Sequence, residues 1–113
     1  MRVTSTDTVT IYVGFRAGYT AERARLEACE AICQEYVDRI GLCVTVTPTR
    51  FVYKDGCEPG AAVGLINYPR FPSNRADIRK KALELASLLM LGLKQQRVSV
   101  VCSDETIMLE YAE

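Results

Sequence analysis

Apolar residues change their spacing along this chain, and the order of those changes restricts the folds open to it. Over residues 8–15 they alternate, with Val9, Ile11, Val13 and Phe15 on one face and Thr8, Thr10, Tyr12 and Gly14 on the other. That is the pattern of a strand with one side buried. From Leu26 the interval becomes three and four, through Cys29, Cys33, Tyr36, Val37 and Ile40, so a helix ending near Ile40 carries one apolar stripe. Thr20 stands where an N-cap hydroxyl serves the first free amides, Glu22 suits the first turn, and Gly41 is a natural stop.

Alternation returns over residues 42–47, where Leu42, Val44 and Val46 oppose Cys43, Thr45 and Thr47. Pro48 has no N–H for a ladder, so the strand bends, bulges or lies at an edge there before Phe51, Val52 and Tyr53 continue it. Residues 54–60, KDGCEPG, read as turn chemistry, and residues 61–68 as a largely apolar strand that closes an antiparallel hairpin. Pro69 and Pro72 then bracket Arg70 and Phe71, and Ser73 or Asn74 caps a second helix with Asp77 at its third position.

This second helix is apolar on more than one side. Ile78, Ala82, Leu85, Ala86, Leu89 and Leu93 form its core stripe, while Leu83, Leu88, Met90 and Leu91 lie opposite. In so small a domain the second cover is expected to be another copy, making a homodimer through this helix. Residues 98–102 and 106–111 are read as a final hairpin around Ser103, Asp104 and Glu105. Strand, helix, strand, strand, helix, strand, strand is the order of an α+β ferredoxin-like βαββαβ sandwich with an added C-terminal strand. Two helices are expected on one face of a mostly antiparallel sheet, in a single domain spanning residues 1–113.

Fourteen basic residues balance fourteen acidic ones, so no overall basic field gathers long nucleic acid, and any anion site has to be local. The first residues lack the apolar run of a signal peptide, and the longest greasy stretch, residues 82–93, is too short to span a bilayer. A protein of the cytoplasm, without membrane contact, is expected. Five cysteines, an odd number without C-x-x-C spacing, together with no His, point to structural thiols rather than to a disulfide framework or a metal site.

Without His, acid and base work falls to carboxylates, Lys, Cys or Tyr, and the acids are placed mostly on helix surfaces and in turns. No phosphate loop, nucleophile elbow or dinucleotide fingerprint appears. The chain is therefore expected to bind rather than to catalyse, with no cofactor and no metal. Anions bind where helix N-termini and arginines converge. Arg16, Tyr19 and Thr20 at the first helix and Arg70, Phe71, Asn74 and Arg75 at the second offer two such places, expected at one end of the sheet and able to form one pocket, within a protomer or across a dimer. Tyr19, Tyr68 and Phe71 suit stacking on a ring, Asn67 suits a polar edge, and Arg97 is a further guanidinium. The plainer alternative is that Asn67, Tyr68 and Phe71 tie the loop to the sheet and that Arg75, Arg79, Lys80 and Lys81 form a solvated helix face.

The segments IYVGFRAGYT, LCVTVTPTRFVYKDG, EPGAAVGLINYPRFPSN and RVSVVCSDETIMLE resemble small accessory proteins of tailed phages and prophages. In size, element order and an arginine-plus-aromatic loop the chain is also similar to phage Thoeris anti-defence proteins, which sequester cyclic ADP-ribose-type signals. The resemblance implies a non-catalytic phage protein in the host cytoplasm that binds a small phosphorylated nucleotide to blunt defence signalling. The alternatives are a protein that docks on a host or virion protein, and a small enzyme using Cys57 or a buried carboxylate.

Overall fold

The computed structural model describes residues 1–16, 25–70 and 72–111. Its elements are β1 (Thr8–Gly14), α1 (Leu26–Ile40), β2 (Val44–Tyr53), β3 (Gly56–Ile66), α2 (Arg75–Gly92), β4 (Arg97–Val101) and β5 (Thr106–Glu110). The strands form one sheet in the order β2-β3-β1-β4-β5, and every neighbouring pair is antiparallel. The first four strands take the ferredoxin-like order, and β5 extends the β4 edge.

One face of the sheet carries the core. Ile11, Val13, Val63, Leu65, Val98 and Val100 are buried against Cys29, Cys33 and Tyr36 of α1 and Ile78, Ala82, Leu85, Ala86 and Leu89 of α2. A fully buried aliphatic side chain contributes about 1.5–3 kcal/mol, so the odd-numbered residues of β1 suffice to orient that strand. Its even-numbered residues, with Thr45, Thr47 and Thr49 of β2 and Ser99 of β4, occupy the opposite face, which neither helix covers.

The helix ends follow their caps. Gly41 adopts φ 78° and returns its N–H to Val37, as its position after the apolar stripe implies. Asn74 Oδ1 accepts from the Asp77 N–H at 2.7 Å. Arg25 precedes α1 without a side-chain cap, and the expected cap at Thr20, with Glu22, lies outside the described residues.

The β2–β3 hairpin differs from the sequence reading. Its turn is just Lys54 and Asp55, with Asp55 at φ 65°, and β3 begins at Gly56 rather than at Ala61. Cross-strand pairing of Phe51 with Glu58 and of Arg50 with Pro59 overrides the turn-like composition of residues 56–60, because Pro59 needs no ladder donor and its carbonyl accepts from Phe15 N at 3.0 Å. Pro48 sits in an edge strand, one of the three places its missing N–H is tolerated.

The broad apolar surface of α2 is largely covered within the chain. Met90 is buried, Leu83 packs against the core, and α1 crosses near Gly92, where an added Cβ would press on Ile32. Leu88 and Leu91 stay exposed.

Candidate functional site

Gly14 pairs with Gly60, and Thr8 with Ile66. The chain therefore leaves β1 at one end of the sheet and leaves β3 at the other. This corrects the expectation that the two helix-entry connections sit at one end and share a pocket within a protomer, because antiparallel neighbours exit in opposite directions.

At the β3 exit, the predicted residues are engaged in internal contacts. Asn67, 6% exposed, donates to Thr4 Oγ1 and the Ser5 carbonyl at 3.1 and 2.9 Å and accepts from Ser73 N at 2.8 Å. Tyr68 hydrogen-bonds Cys43, which raises the phenol pKa, as does partial burial. Asn74 is occupied as the α2 cap, and Arg75 pairs with Asp7 at 3.0 Å. Arg70 is exposed, while Phe71 lies outside the described residues. A hollow of about 700 Å³ runs along α2 from Arg75 to Ser87. Of its guanidinium groups, Arg75 faces Asp7 and Arg79 faces Asp104 and Glu105.

The β1 exit carries a different constellation. Arg16 is here, and Arg97 opens the neighbouring β4, since Tyr12 pairs with Ser99. Tyr19, predicted beside Arg16, lies outside the described residues. On the uncovered face Gly14 lets two side chains close in on the strand: a Cβ built on it would lie 3.1 Å from Gln95 Oε1 and 3.4 Å from Glu58 Oε1. Gln95 is 8% exposed and donates from Nε2 to the carbonyls of Arg16 at 3.0 Å and Leu93 at 2.9 Å.

Aromatic groups lie beside this pair of oxygens, on neighbouring strand positions. The Phe51 ring lies over Gly60, where any Cβ would collide with it, and Tyr12 meets Phe51 edge to face at 6.3 Å between ring centres. At the start of β4, a polar cleft of about 260 Å³ is lined by Gln96, Arg97, Glu110 and Tyr111, with Arg97 Nε 3.9 Å from Glu110. A carboxylate, an amide oxygen, aromatic faces and arginines thus gather where β1 leaves the sheet. Among the described residues no group of three or more Cys, Asp or Glu is placed to hold a metal ion.

Sequence reasoning missed Gly14, Glu58 and Gln95. Glu58 was hidden inside a segment that reads as a turn, and Gln95 follows a helix without periodicity of its own. The one available signal was Gly14 ending a strand at a face position, because a missing side chain there leaves room for something else. Cys57, the nucleophile of the enzyme alternative, is exposed and pairs with Val52 in the outer hairpin.

No protein-family model matches the sequence, and no curated protein does. Among solved structures, a phage SAM lyase in complex with S-methyl-5'-thioadenosine matches with a TM-score of 0.78 at 15% identity, covering 98% of this chain and 94% of that one. A phage SAM lyase in the apo state matches with a TM-score of 0.67 at 20% identity, covering 95% and 92%. The fold is thus one that a phage protein adopts, and neither structure is a Thoeris-type sequestering protein.

This likeness overturns two expectations, a non-catalytic protein that sequesters a phosphorylated nucleotide and the absence of enzyme activity. Over nearly its whole length the fold is that of a lyase. The inference from missing His to missing catalysis fails for a general reason: a leaving group that departs as a neutral molecule needs no general acid.

Proposed function

We propose that this chain is an enzyme that cleaves S-adenosylmethionine and releases S-methyl-5'-thioadenosine, with its site at the β1 exit. The observation that carries this reading is the near-complete fold match to a SAM lyase bound to S-methyl-5'-thioadenosine.

The chemistry suits the residues present. In S-adenosylmethionine the sulfur is a sulfonium; when its bond to the amino-acid chain breaks, the electron pair stays on sulfur and the thioether leaves uncharged, while the substrate's own carboxylate oxygen supplies the electron pair for the new bond to the carbon that sulfur leaves, closing a lactone. No proton has to reach it. What accelerates such a step is a preorganised electrostatic environment and an imposed substrate conformation, rather than an acid and base pair. In this reading Glu58 and Gln95 Oε1 face the sulfonium, Phe51 and Tyr12 offer ring surface to the adenine, and Arg16 and Arg97 meet the substrate carboxylate. Tyr19 is proposed to join them from the β1–α1 connection. The cluster around Asn67 is proposed to brace the fold rather than to bind.

Removal of the methyl donor is a route by which a phage protein counters methylation-dependent host defence, and that is the role proposed in the host cytoplasm. The partner is then a small adenosine derivative. Among the described residues no helix is long and apolar enough to cross a membrane. Self-association through Leu88 and Leu91 belongs to the same proposal, and a monomeric mass by light scattering at high concentration removes it.

The test is incubation of the purified protein with S-adenosylmethionine and chromatographic detection of S-methyl-5'-thioadenosine. Turnover is expected, and Glu58→Gln is expected to lower it by about a hundredfold or more, the scale on which one preorganised electrostatic group acts. Absence of product under every condition that preserves the fold ends the lyase reading.

A further inference from the structure

Gln95 presents an amide that has no freedom to turn. Its Nε2 donates to two main-chain carbonyls, Arg16 at 3.0 Å and Leu93 at 2.9 Å, and an oxygen in the same place would face two acceptors and repel both. The two hydrogens are thereby assigned, and the oxygen has to point the other way. It points over Gly14, on the same side as Glu58. An amide commonly serves a ligand as donor or acceptor as required; this one serves as an acceptor alone.

From this geometry we infer that Gln95 and Glu58 form a charge filter: the two oxygens that converge over Gly14 favour a cationic or hydrogen-donating group docking on them and disfavour a neutral one. Both are acceptor oxygens, one formally charged, and the Gln95 hydrogens are turned away to the main chain. Because Gln95 is almost fully buried and held at both hydrogens, its oxygen cannot swing away when the wrong group enters, so the preference is built in before binding. The filter also assists release: a sulfonium that becomes a thioether loses its attraction to Glu58 at the moment the product forms. Gln95 additionally fixes the Arg16 carbonyl, and with it the point at which the chain departs from the sheet beside the site.

The inference rests on the proposed site for its choice of ligands, but its test does not need turnover. Two uncleaved adenosine amino acids differ in charge at the position of interest. Sinefungin carries a protonated amine where S-adenosylmethionine has its sulfonium, and S-adenosylhomocysteine carries a neutral sulfur. Titration calorimetry is expected to show sinefungin binding about tenfold tighter or more, the scale of one desolvated opposite-charge contact. In Glu58→Gln the ratio is expected to fall towards one, while thermal unfolding and circular dichroism stay close to those of the parent.

Gln95→Met removes the acceptor and its two donations together. It is expected to weaken sinefungin more than S-adenosylhomocysteine. Should that variant fail to fold, the Glu58→Gln ratio decides alone. Equal affinity of the unmodified protein for both compounds, or a ratio unchanged by Glu58→Gln, overturns the filter, as does failure of both compounds to bind. Failure of S-adenosylmethionine cleavage with the charge preference intact overturns the lyase reading alone.

Discussion

Tyr36 Oη donates to Glu84 at 2.9 Å and approaches the Lys81 carbonyl at 3.3 Å, tying α1 to α2 at the base of the core. The ring is almost wholly buried, and burial together with the Glu84 bond pushes the phenol pKa far above its ordinary value. Tyr36→Phe keeps the ring and removes the tie, so chemical denaturation should show a loss of about 1 kcal/mol, the usual worth of one such bond. Tyr36→Ala also empties the space and should cost about 3–5 kcal/mol.

Asn67 joins three segments that are distant in the chain: Thr4 and Ser5, the end of β3, and Ser73 before α2. Its replacement by Ala strands a half-buried Ser73 N–H and frees the N-terminal segment. Urea unfolding should register a loss of about 2–3 kcal/mol. S-adenosylmethionine turnover measured below the new melting temperature should be nearly unchanged, because the proposed site is at the other end of the sheet.

Two glycines on the uncovered face should respond differently to the same substitution. A Cβ on Gly60 collides with the Phe51 ring and with the main-chain oxygen of Val13, and a backbone atom does not move aside, so Gly60→Ala should destabilise by about 2 kcal/mol or more. A Cβ on Gly14 meets side-chain oxygens at 3.1 and 3.4 Å. Gly14→Ala should cost less, about 1 kcal/mol, because a side-chain oxygen has to give by a few tenths of an ångström, and should weaken binding of sinefungin in calorimetry by displacing the two oxygens.

Arg79 holds the turn between β4 and β5 to α2 through Asp104 and through Glu105 at 3.0 Å. The guanidinium bond holds the Asp104 carboxyl below its ordinary 3.8. A group whose folded pKa is depressed contributes stability above its unfolded value and loses it as pH falls through the folded value. The contribution should therefore be complete at neutral pH and disappear below about 4, the unperturbed range for Asp. Thermal melts from pH 7 to pH 2 should show Asp104→Asn with a shallower acid limb than the parent; identical limbs would mean that the pair adds nothing measurable.

Local pattern was enough to place the two helices and most of the strands, since periods of two and of three to four are imposed by a buried face and are written residue by residue. Val9, Ile11, Val13 and Phe15 can be buried together in a strand and not in a helix. The caps at Gly41 and Asn74 were legible for the same reason: each depends on neighbours within a turn. Residues 56–60 were not, because Glu58 and Pro59 become a strand through pairing with Phe51 and Arg50, partners from across the hairpin.

The candidate site divides along the same line. Arg16 and Arg97 were visible as cations, and Asn67, Tyr68, Asn74 and Arg75 as polar groups beside a stiff loop. Their chemistry alone did not separate the ones that brace the chain from the ones that face open space. Sequence by itself determined the order of elements and which side of each is buried. Tertiary structure decided that β1 and β3 run in opposite directions, so that the two helix entries part company, and that Glu58 and Gln95 meet over Gly14. Such a meeting joins residues more than thirty positions apart, and no local spacing encodes it: it exists because sheet pairing sets Gly14 and Glu58 on neighbouring strands and the connection from α2 to β4 brings Gln95 to the same end.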